Sequence, residues 1–502
     1  LRRFNIGRED IVSVQLPNWA EWIILCLACA KIGAVFNPIP VNARHKEVKY
    51  ILNFCQPRLF VIPDQFRGFN YMDMVRSLQK EVNVPAVAVV ANGAETASVP
   101  GPFLAFADLA QYSPSAGESA QETAGENGHN VSADDPFVLL FTSGTEAEPK
   151  GVIHTHNTIL FSERSLAQAL SIGNDDAVLA VSPLSHATGF LRGVVLPLIA
   201  GAKTVLADQF SPPAAMNIIC AEKCTFSMGA TPFLHDLLAE ILAAKEPYDL
   251  SHFRFFLCGG APVPRHLAAQ ASQIGFKVLA VYGSTESPPH TVSGLQEGDE
   301  SLPDHDGKPL PGIEVKIVDE HRNILPPGEI GEEASRGPNV FVGYFKQPEL
   351  TQKYLDKDGW YYSGDLCVLE PDNHLRVVGR KKDMIIRGGQ NISPGEIEQM
   401  LYKHPKIDKV AVVGIPDERM GEKVAAFVVP AKGETFTFAE MIEFLEKEQI
   451  AKYKYPEKLL IVRDLPQTPA GKIQKYKLKN VLIMNTGEPR SFIFEHRLNS
   501  GD

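Results

Sequence analysis

The chain of 502 residues contains only 7 cysteines and 3 tryptophans. So sparse and odd a cysteine count excludes a disulfide-stapled scaffold and suits a reducing, cytoplasmic compartment. Cys26 and Cys29 form one C-x-x-C, but it lies within the apolar stretch Trp22-Ile-Ile-Leu-Cys-Leu-Ala-Cys-Ala30. With no second pair to complete a zinc site, these read as buried helical thiols, and Cys220 and Cys224, four apart on a helical pattern, read the same way. Long hydrophobic runs are missing too. The longest, Trp22 to Phe36, is cut by Lys31 and is too short to span a bilayer, and no signal-peptide pattern precedes it. An excess of basic charge is also absent: 49 Lys and Arg against 60 Asp and Glu give a net charge of −11. That excludes the global positive field of non-specific nucleic-acid binders, but not anionic small ligands held by local cations. Neither nucleic acid nor integral membrane association is expected.

What is present is ordinary globular usage, with 44% hydrophobic and 22% charged residues. The length allows two to four domains of roughly 100–200 residues each. Ile11–Leu16, Ala34–Pro38 and Leu59–Ile62 read as strands alternating with a helix over Trp19–Ile32, the pattern of a parallel α/β sheet. A Ser/Ala/Gly/Glu-rich stretch over 112–135 reads as a surface loop. The α/β alternation resumes from Pro136 to about Gly294, followed by a Pro/Gly-punctuated β stretch from Gly312 through Gly331. A compact α+β segment begins at Arg380. The expected fold is α/β: a large N-terminal domain of layered α/β sheets plus a β subdomain over residues 1–379, a small mobile α+β domain over 380–485, and an irregular tail over 486–502.

Four segments carry chemistry. In Leu139-Leu-Phe-Thr-Ser-Gly-Thr-Glu-Ala-Glu-Pro-Lys-Gly-Val152 an apolar strand enters a hydroxyl- and glycine-rich turn that ends in Lys150. Backbone N–H groups and a lysine in such a turn suit a phosphate, although the Walker A spacing is absent and such turns are often only turns. His154 and His156 alternate along an extended segment and lack a third ligand, so zinc is not expected. Val281-Tyr-Gly-Ser-Thr-Glu-Ser287 follows a buried strand, where open α/β sheets place ligands. It offers an aromatic face, hydroxyls and a carboxylate, although Tyr282 as a core cap and Glu286 as a solvated acid would satisfy the same pattern. Trp360-Tyr-Tyr-Ser-Gly-Asp-Leu366 supplies a carboxylate suited to ribose hydroxyls and precedes Gly379-Arg-Lys-Lys-Asp383. Thr468-Pro-Ala-Gly-Lys-Ile-Gln-Lys475 is a tight turn presenting Lys472.

In this order the four segments resemble the adenylate-forming superfamily of acyl-CoA synthetases, peptide-synthetase adenylation domains and luciferases, over about Ile11 to Asn480. The stretches Ser185-His-Ala-Thr-Gly-Phe190, Phe255-Phe-Leu-Cys-Gly-Gly260, Tyr282–Ser287 and Ala451-Lys-Tyr-Lys-Tyr-Pro456 resemble bacterial medium-chain fatty acyl-CoA ligases and cyclohexanecarboxylate-CoA ligases. The resemblance implies an acid–thiol ligase that uses ATP, Mg²⁺ and coenzyme A. It forms an acyl-adenylate, then an acyl-CoA, on a medium-chain or alicyclic carboxylic acid.

The resemblance also assigns roles. Thr142, Ser143, Gly144, Thr145 and Lys150 form the phosphate loop, and Thr145 with Glu286 holds the metal. Tyr282 stacks on adenine beside Gly259, Gly260 and Ala261, within the run Gly283, Ser284, Thr285. Asp365 and Arg380 hold the ribose, Lys472 bridges carboxylate and phosphate, and His186 lies beside the reacting group. Lys382 is the hinge, and Gly388, Gly389, Tyr453 and Lys454 face coenzyme A. The acyl pocket comprises His186, Phe190, Ala230, Thr231, Ala261, Ser287 and Pro288. It carries no acid to pair an α-amine, which disfavours amino acids. Ala147 replaces a usual glycine of the phosphate loop, and the family's opening helical segment has no counterpart before Leu1. The alternatives are an aryl or carnitine-type CoA ligase, a carrier-protein acylating enzyme, or an inactive nucleotide-binding scaffold.

Overall fold

The computed structural model describes residues 1, 4–91, 103–110, 131–142, 149–260, 263, 265–295, 305–387, 390–417, 419–448, 450–468 and 471–483. Ser143, Gly144, Thr145 and Ala147 of the phosphate turn, Ala261, Gly388, Gly389, most of the 112–135 stretch and the 486–502 tail lie outside these residues.

The first expected strands and helix form a parallel βαβ unit. The helix Ala20–Ile32 ends at Gly33, whose φ of 73° and N–H bond to the Cys29 carbonyl stop it after its last turn. Its inner face buries Trp22, Leu25, Cys26 and Cys29. Burial pushes the Cys29 thiol up to about 12, so neither cysteine is a redox group at neutral pH. The first sheet runs in the order Gly343–Tyr344, Lys150–Thr155, Pro136–Thr142, Val35–Pro38, Ile11–Val14, Leu59–Pro63, Ala86–Val90 and Leu104–Ala105. The hairpin of Pro136–Thr142 with Lys150–Thr155 is antiparallel and pairs Thr142 with Lys150, which brings the two ends of the phosphate turn together.

A second sheet runs Lys203–Leu206, Ala177–Ala180, Phe226–Gly229, Phe255–Gly259, Lys277–Tyr282, Thr291–Val292, Lys308–Pro309. Its first five strands are parallel. The helical run from Ala187 to Ala200, with a π-helical stretch at Leu191–Val195, packs on both sheets. Leu191, Val194 and Val195 join the core of the first sheet, whereas Leu196 joins Phe226, Phe255 and Leu279 beneath the second. A four-stranded antiparallel sheet follows, Glu314–Val318, Gly331–Arg336, Tyr361–Leu369 and Leu375–Arg380. Beyond Arg380 a separate core forms. Ile407–Asp417 and Gly421–Pro430 pair along their length, with Ile385–Arg387, Gln390–Ile392 and Lys458–Ile461 beside them. The helices Pro394–Leu401 and Phe438–Lys447 contribute Ile397, Leu401, Met441 and Leu445 to that core.

Two local expectations are corrected. The helix Pro212–Glu222 contains Cys220 but stops before Cys224, because Lys223 adopts φ 52° and ends it. His156 does not continue the extended segment. Thr155 caps a helix that begins at His156, its hydroxyl accepting from the Thr158 N–H.

Candidate functional site

The strand ends of the second sheet carry two of the chemistry-bearing turns side by side. Gly259 and Val281 are register partners on neighbouring strands, so the Gly-Gly turn and the Tyr-Gly-Ser-Thr-Glu turn emerge together. Glycine is required there. A Cβ on Gly259 would lie 2.6 Å from the Val281 carbonyl oxygen, and Gly260 has φ 85°. A Cβ on Gly283 would lie 2.8 Å from Pro289 Cα. Ser284 folds the turn back, its hydroxyl accepting from the Ser287 N–H at 3.0 Å.

Glu286 is buried, not solvated, and accepts a hydrogen bond from the Tyr344 hydroxyl at 2.9 Å. The Lys150 ammonium lies 5.3 Å from the Tyr344 ring centroid and 4.5 Å from that of Tyr354. The base of the phosphate turn and the candidate metal carboxylate therefore share one aromatic wall. His154, which sequence reasoning weighed only as a metal ligand, ties the two turns together. Its Nε2 donates to the Thr285 carbonyl at 2.7 Å, with Nδ1 2.9 Å from the Thr158 hydroxyl. Burial holds its imidazole at about 4, so it is a neutral structural link.

Asp365 and Arg380 are register partners on antiparallel strands, and the Arg380 Nε reaches Asp365 Oδ1 at 2.9 Å. The Tyr282 hydroxyl donates to Asp365 Oδ2 at 2.8 Å. Tyr282 is partly exposed, so it is not a sealed core cap.

The second unit reaches this edge through the turn at Thr468–Lys472. The Gly471 N–H bonds the Thr468 carbonyl at 2.9 Å, and Gly471 adopts φ 80°. Its Cα is so close to the large unit that an added Cβ would stand 3.2 Å from Ala230 Cβ. The following helix is pinned by Lys475 on Glu398 at 2.7 Å. Lys472 itself keeps contact with water. Partial desolvation and the Arg380 charge nevertheless outweigh Asp365 and Asp383 and bring its ammonium down to about 8. His186 caps the Ala187–Phe190 turn, its Nδ1 accepting from the Thr188 N–H at 3.2 Å. Surrounding protein atoms and the cations Lys472 and Arg192 hold this imidazole at about 4. With Nδ1 an acceptor, Nε2 carries the ring proton.

Part of the expected acyl pocket lies elsewhere. Phe190 is wholly buried among core rings, 5.6 Å from Trp22 and 6.0 Å from Phe137 by centroid. One helical turn past His186, it points into the core and not toward a ligand. Ser287 and Pro288 are buried too, bonded to Asn339 Nδ2 at 3.1 and 2.9 Å. Ala230 does lie at the Gly471 contact, with Pro232 beside it, and Thr231 stands between them at the start of the helix Thr231–Ala243. Tyr453 packs at the small unit's core, and Lys454 is paired to Glu396 at 2.6 Å. Lys382 occupies the short 3-10 turn Lys381–Asp383. Sequence reasoning missed Tyr344, His290 and Glu333, because no local spacing links them to the turns they support.

Two layered α/β sheets followed by a smaller α+β unit form the architecture of adenylate-forming enzymes. The chain belongs to the AMP-binding enzyme family, whose profile matches residues 1–345, and the profile of its C-terminal domain matches 396–472. It is 43% identical over 479 residues to a medium-chain fatty-acid–CoA ligase of Escherichia coli K12, covering 95% of this chain and 82% of the relative. It is 33% identical to the mitochondrial medium-chain acyl-CoA ligase ACSF2 of Danio rerio, covering 94% of this chain and 80% of the relative. Among solved structures, ATP-bound MatB from Rhodopseudomonas palustris matches with a TM-score of 0.82 at 28% identity, covering 96% of this chain and 90% of that one.

Proposed function

We propose that the chain is an AMP-forming carboxylate–CoA ligase for medium-chain acids. The observation that carries this reading is the meeting of Lys472 from the small unit with Arg380, Asp365 and His186 at the strand ends. The relatives named for medium-chain ligation point to the same substrate class. In the first step a carboxylate oxygen attacks the α-phosphorus of ATP and pyrophosphate leaves. An anion must approach a polyanion, and the Lys472 and Lys150 ammonium groups offset that repulsion. Tyr282 offers its ring face to adenine, and Asp365 accepts from the ribose hydroxyls. In the second step the thiol sulfur of coenzyme A attacks the carbonyl carbon, AMP leaves, and the thiol proton passes to solvent.

Among the described residues no three His, Cys, Asp or Glu side chains form a metal cage. The buried Glu286 carboxylate, bonded by the Tyr344 hydroxyl, suits Mg²⁺, which takes one or two carboxylates plus substrate phosphates. Glu286, with Thr145, would hold it, and it would supply positive charge to the phosphates. Residues 380–485 would turn about Lys382 between the two steps, exchanging Lys472 for the 387–391 loop beside the pantetheine arm. Tyr453 and Lys454 would then meet the nucleotide end of coenzyme A. A medium-length aliphatic tail would extend past His186, Ala230 and Thr231. The free cysteines suit a reducing, cytoplasmic location, and among the described residues no helix is long and apolar enough to cross a membrane.

The test measures AMP release from ATP, Mg²⁺ and acids of two to sixteen carbons, cyclohexanecarboxylate and benzoate, with and without coenzyme A. A coenzyme-A-dependent optimum at medium length is expected. An optimum on aryl acids, or turnover only with a carrier protein, would replace the substrate assignment. Lys472→Ala is expected to abolish adenylation and to spare thioester formation from supplied acyl-adenylate.

A further inference from the structure

Behind the nucleotide residues lies a buried acid–imidazole pair that the proposed chemistry does not use. Glu333 and His290 are both fully buried. Glu333 Oε1 stands 3.4 Å from His290 Nε2, and Glu333 Oε2 stands 3.4 Å from the Tyr282 hydroxyl oxygen. The His290 and Tyr282 rings meet edge to face at 4.8 Å. On its other side His290 Nδ1 is 3.2 Å from both the Ser287 carbonyl and the Ser287 hydroxyl. The Ser287 carbonyl only accepts and the Ser287 hydroxyl can also donate, so Nδ1 has a partner in either tautomer. Nε2 and Glu333 Oε1, both buried and without a hydrogen-bond partner, then face each other. Two bare acceptors would repel there, so one shared proton must lie on the imidazole or the carboxyl.

That proton decides what Tyr282 does. The Tyr282 oxygen has one proton and two carboxylates in reach, Asp365 at 2.8 Å and Glu333 at 3.4 Å. If Glu333 carried a bare charge, it would compete for the phenol proton and repel Asp365. Occupied by the proton it shares with His290, it leaves the phenol to Asp365, whose other oxygen faces Arg380. The strand Gly331–Arg336 pairs with Tyr361–Leu369, and the Ser363 hydroxyl donates to the Glu333 carbonyl at 3.1 Å, so Glu333 is rigidly referred to the strand bearing Asp365.

We infer that Glu333 and His290 are positioning residues for the nucleotide, fixing Tyr282 and, through its hydroxyl, Asp365 for the ribose. This rests on the assignment of Asp365 to the ribose. The readout is discrimination between ATP and 2′- or 3′-deoxy-ATP in adenylation, alongside KM for ATP, acid and coenzyme A. Glu333→Leu with His290→Phe removes both polar partners, so neither is stranded in the core, whereas Glu333→Leu alone leaves His290 unpaired. In the double variant KM for ATP is expected to rise about fivefold and ribose discrimination to fall at least about threefold, the scale of one ordinary net hydrogen bond. KM for acid and coenzyme A should stay within about twofold, a selectivity that a general loss of packing does not give. Asp365→Ala is the control. If it collapses discrimination while the folded double variant retains wild-type discrimination, the positioning role is overturned and the ribose assignment stands. If Asp365→Ala leaves discrimination intact, both fall together.

Discussion

Lys472 gives the sharpest test of the site's electrostatics. Its ammonium, ordinarily at 10.5, is brought down to about 8 by desolvation and by Arg380, with Lys382 adding to the repulsion and Asp365 and Asp383 opposing it. Adenylation needs the charged form, which prevails below the shifted value and is lost as pH rises through it. With a value of about 8, the charged fraction falls from about 0.9 at pH 7 to about 0.1 at pH 9, a roughly tenfold loss. At the ordinary value the loss over the same range is only a few per cent. The quantity to measure is kcat/KM for ATP in acyl-adenylate formation without coenzyme A, from pH 6.5 to 9.5, because this ratio reports the free enzyme. Bound triphosphate favours the ammonium, so the limb in kcat should lie at higher pH. Lys472→Arg stays charged throughout and should be slower, without the tenfold limb near pH 8. A wild-type profile flat to pH 9, or the same limb in thioester formation from supplied acyl-adenylate, would refute the argument.

Two further perturbations probe the frame around this lysine. His235, on the helix Thr231–Ala243, lies 3.2 Å from Asp236 and 3.1 Å from Asp408 of the small unit, and these carboxylates raise its imidazole to about 9 against the burial cost. Its folded value is raised, so the contact's stabilisation is complete below 6.5 and disappears as pH climbs through about 9. His235→Gln should loosen the adenylation orientation by about 1 kcal/mol, the range for a partly exposed pair. Adenylation should slow about fivefold relative to thioester formation; an unchanged ratio removes the contact from the domain balance. It should also abolish any alkaline limb that survives in Lys472→Arg. Gly189→Ala would place a Cβ 2.1 Å from the Pro183 carbonyl oxygen and 2.6 Å from that of Ser182. Because both obstacles are backbone, the His186 turn must shift, at a cost of about 3 kcal/mol or more. A thermal melt within a degree of wild type would contradict this.

Much of the frame was legible because strands buried on both faces read as continuous apolar runs, as in Leu59–Ile62 and Lys277–Val281. The chemistry-bearing turns were legible because they follow such strands, where open α/β sheets expose their ends. Phase and distance were not. The family resemblance puts Phe190 in the acyl pocket, but the helical turn after His186 rotates it into the Trp22 core. The pattern through Cys220 gave no sign that Lys223 would turn left-handed and end the helix before Cys224. Glu333 sits beside Glu332 in a strand whose alternation makes one acid partly exposed and the other fully buried. Which of the two faces His290 depends on strand register across separate parts of the chain.

On the proposed site assignment, the pattern of shifts accounts for how a chain of net charge −11 would bind a polyanion. Both the downward shift of Lys472 and that of His186 have neighbouring cations among their causes, Arg380 for the lysine, Lys472 and Arg192 for the imidazole. Arg192 is itself buried, with Glu163 3.8 Å away and too distant for a direct hydrogen bond. Positive charge is therefore concentrated at the meeting of the two units by groups that repel one another. A triphosphate placed among them replaces that repulsion with attraction, and the gain is available only while the small unit presents Lys472. ATP binding and the adenylation orientation are then coupled by one electrostatic term, each favouring the other by the same factor. On the proposed assignment, departure of pyrophosphate would remove most of that negative charge, restore the repulsion on Lys472, and favour its withdrawal before the thiol step.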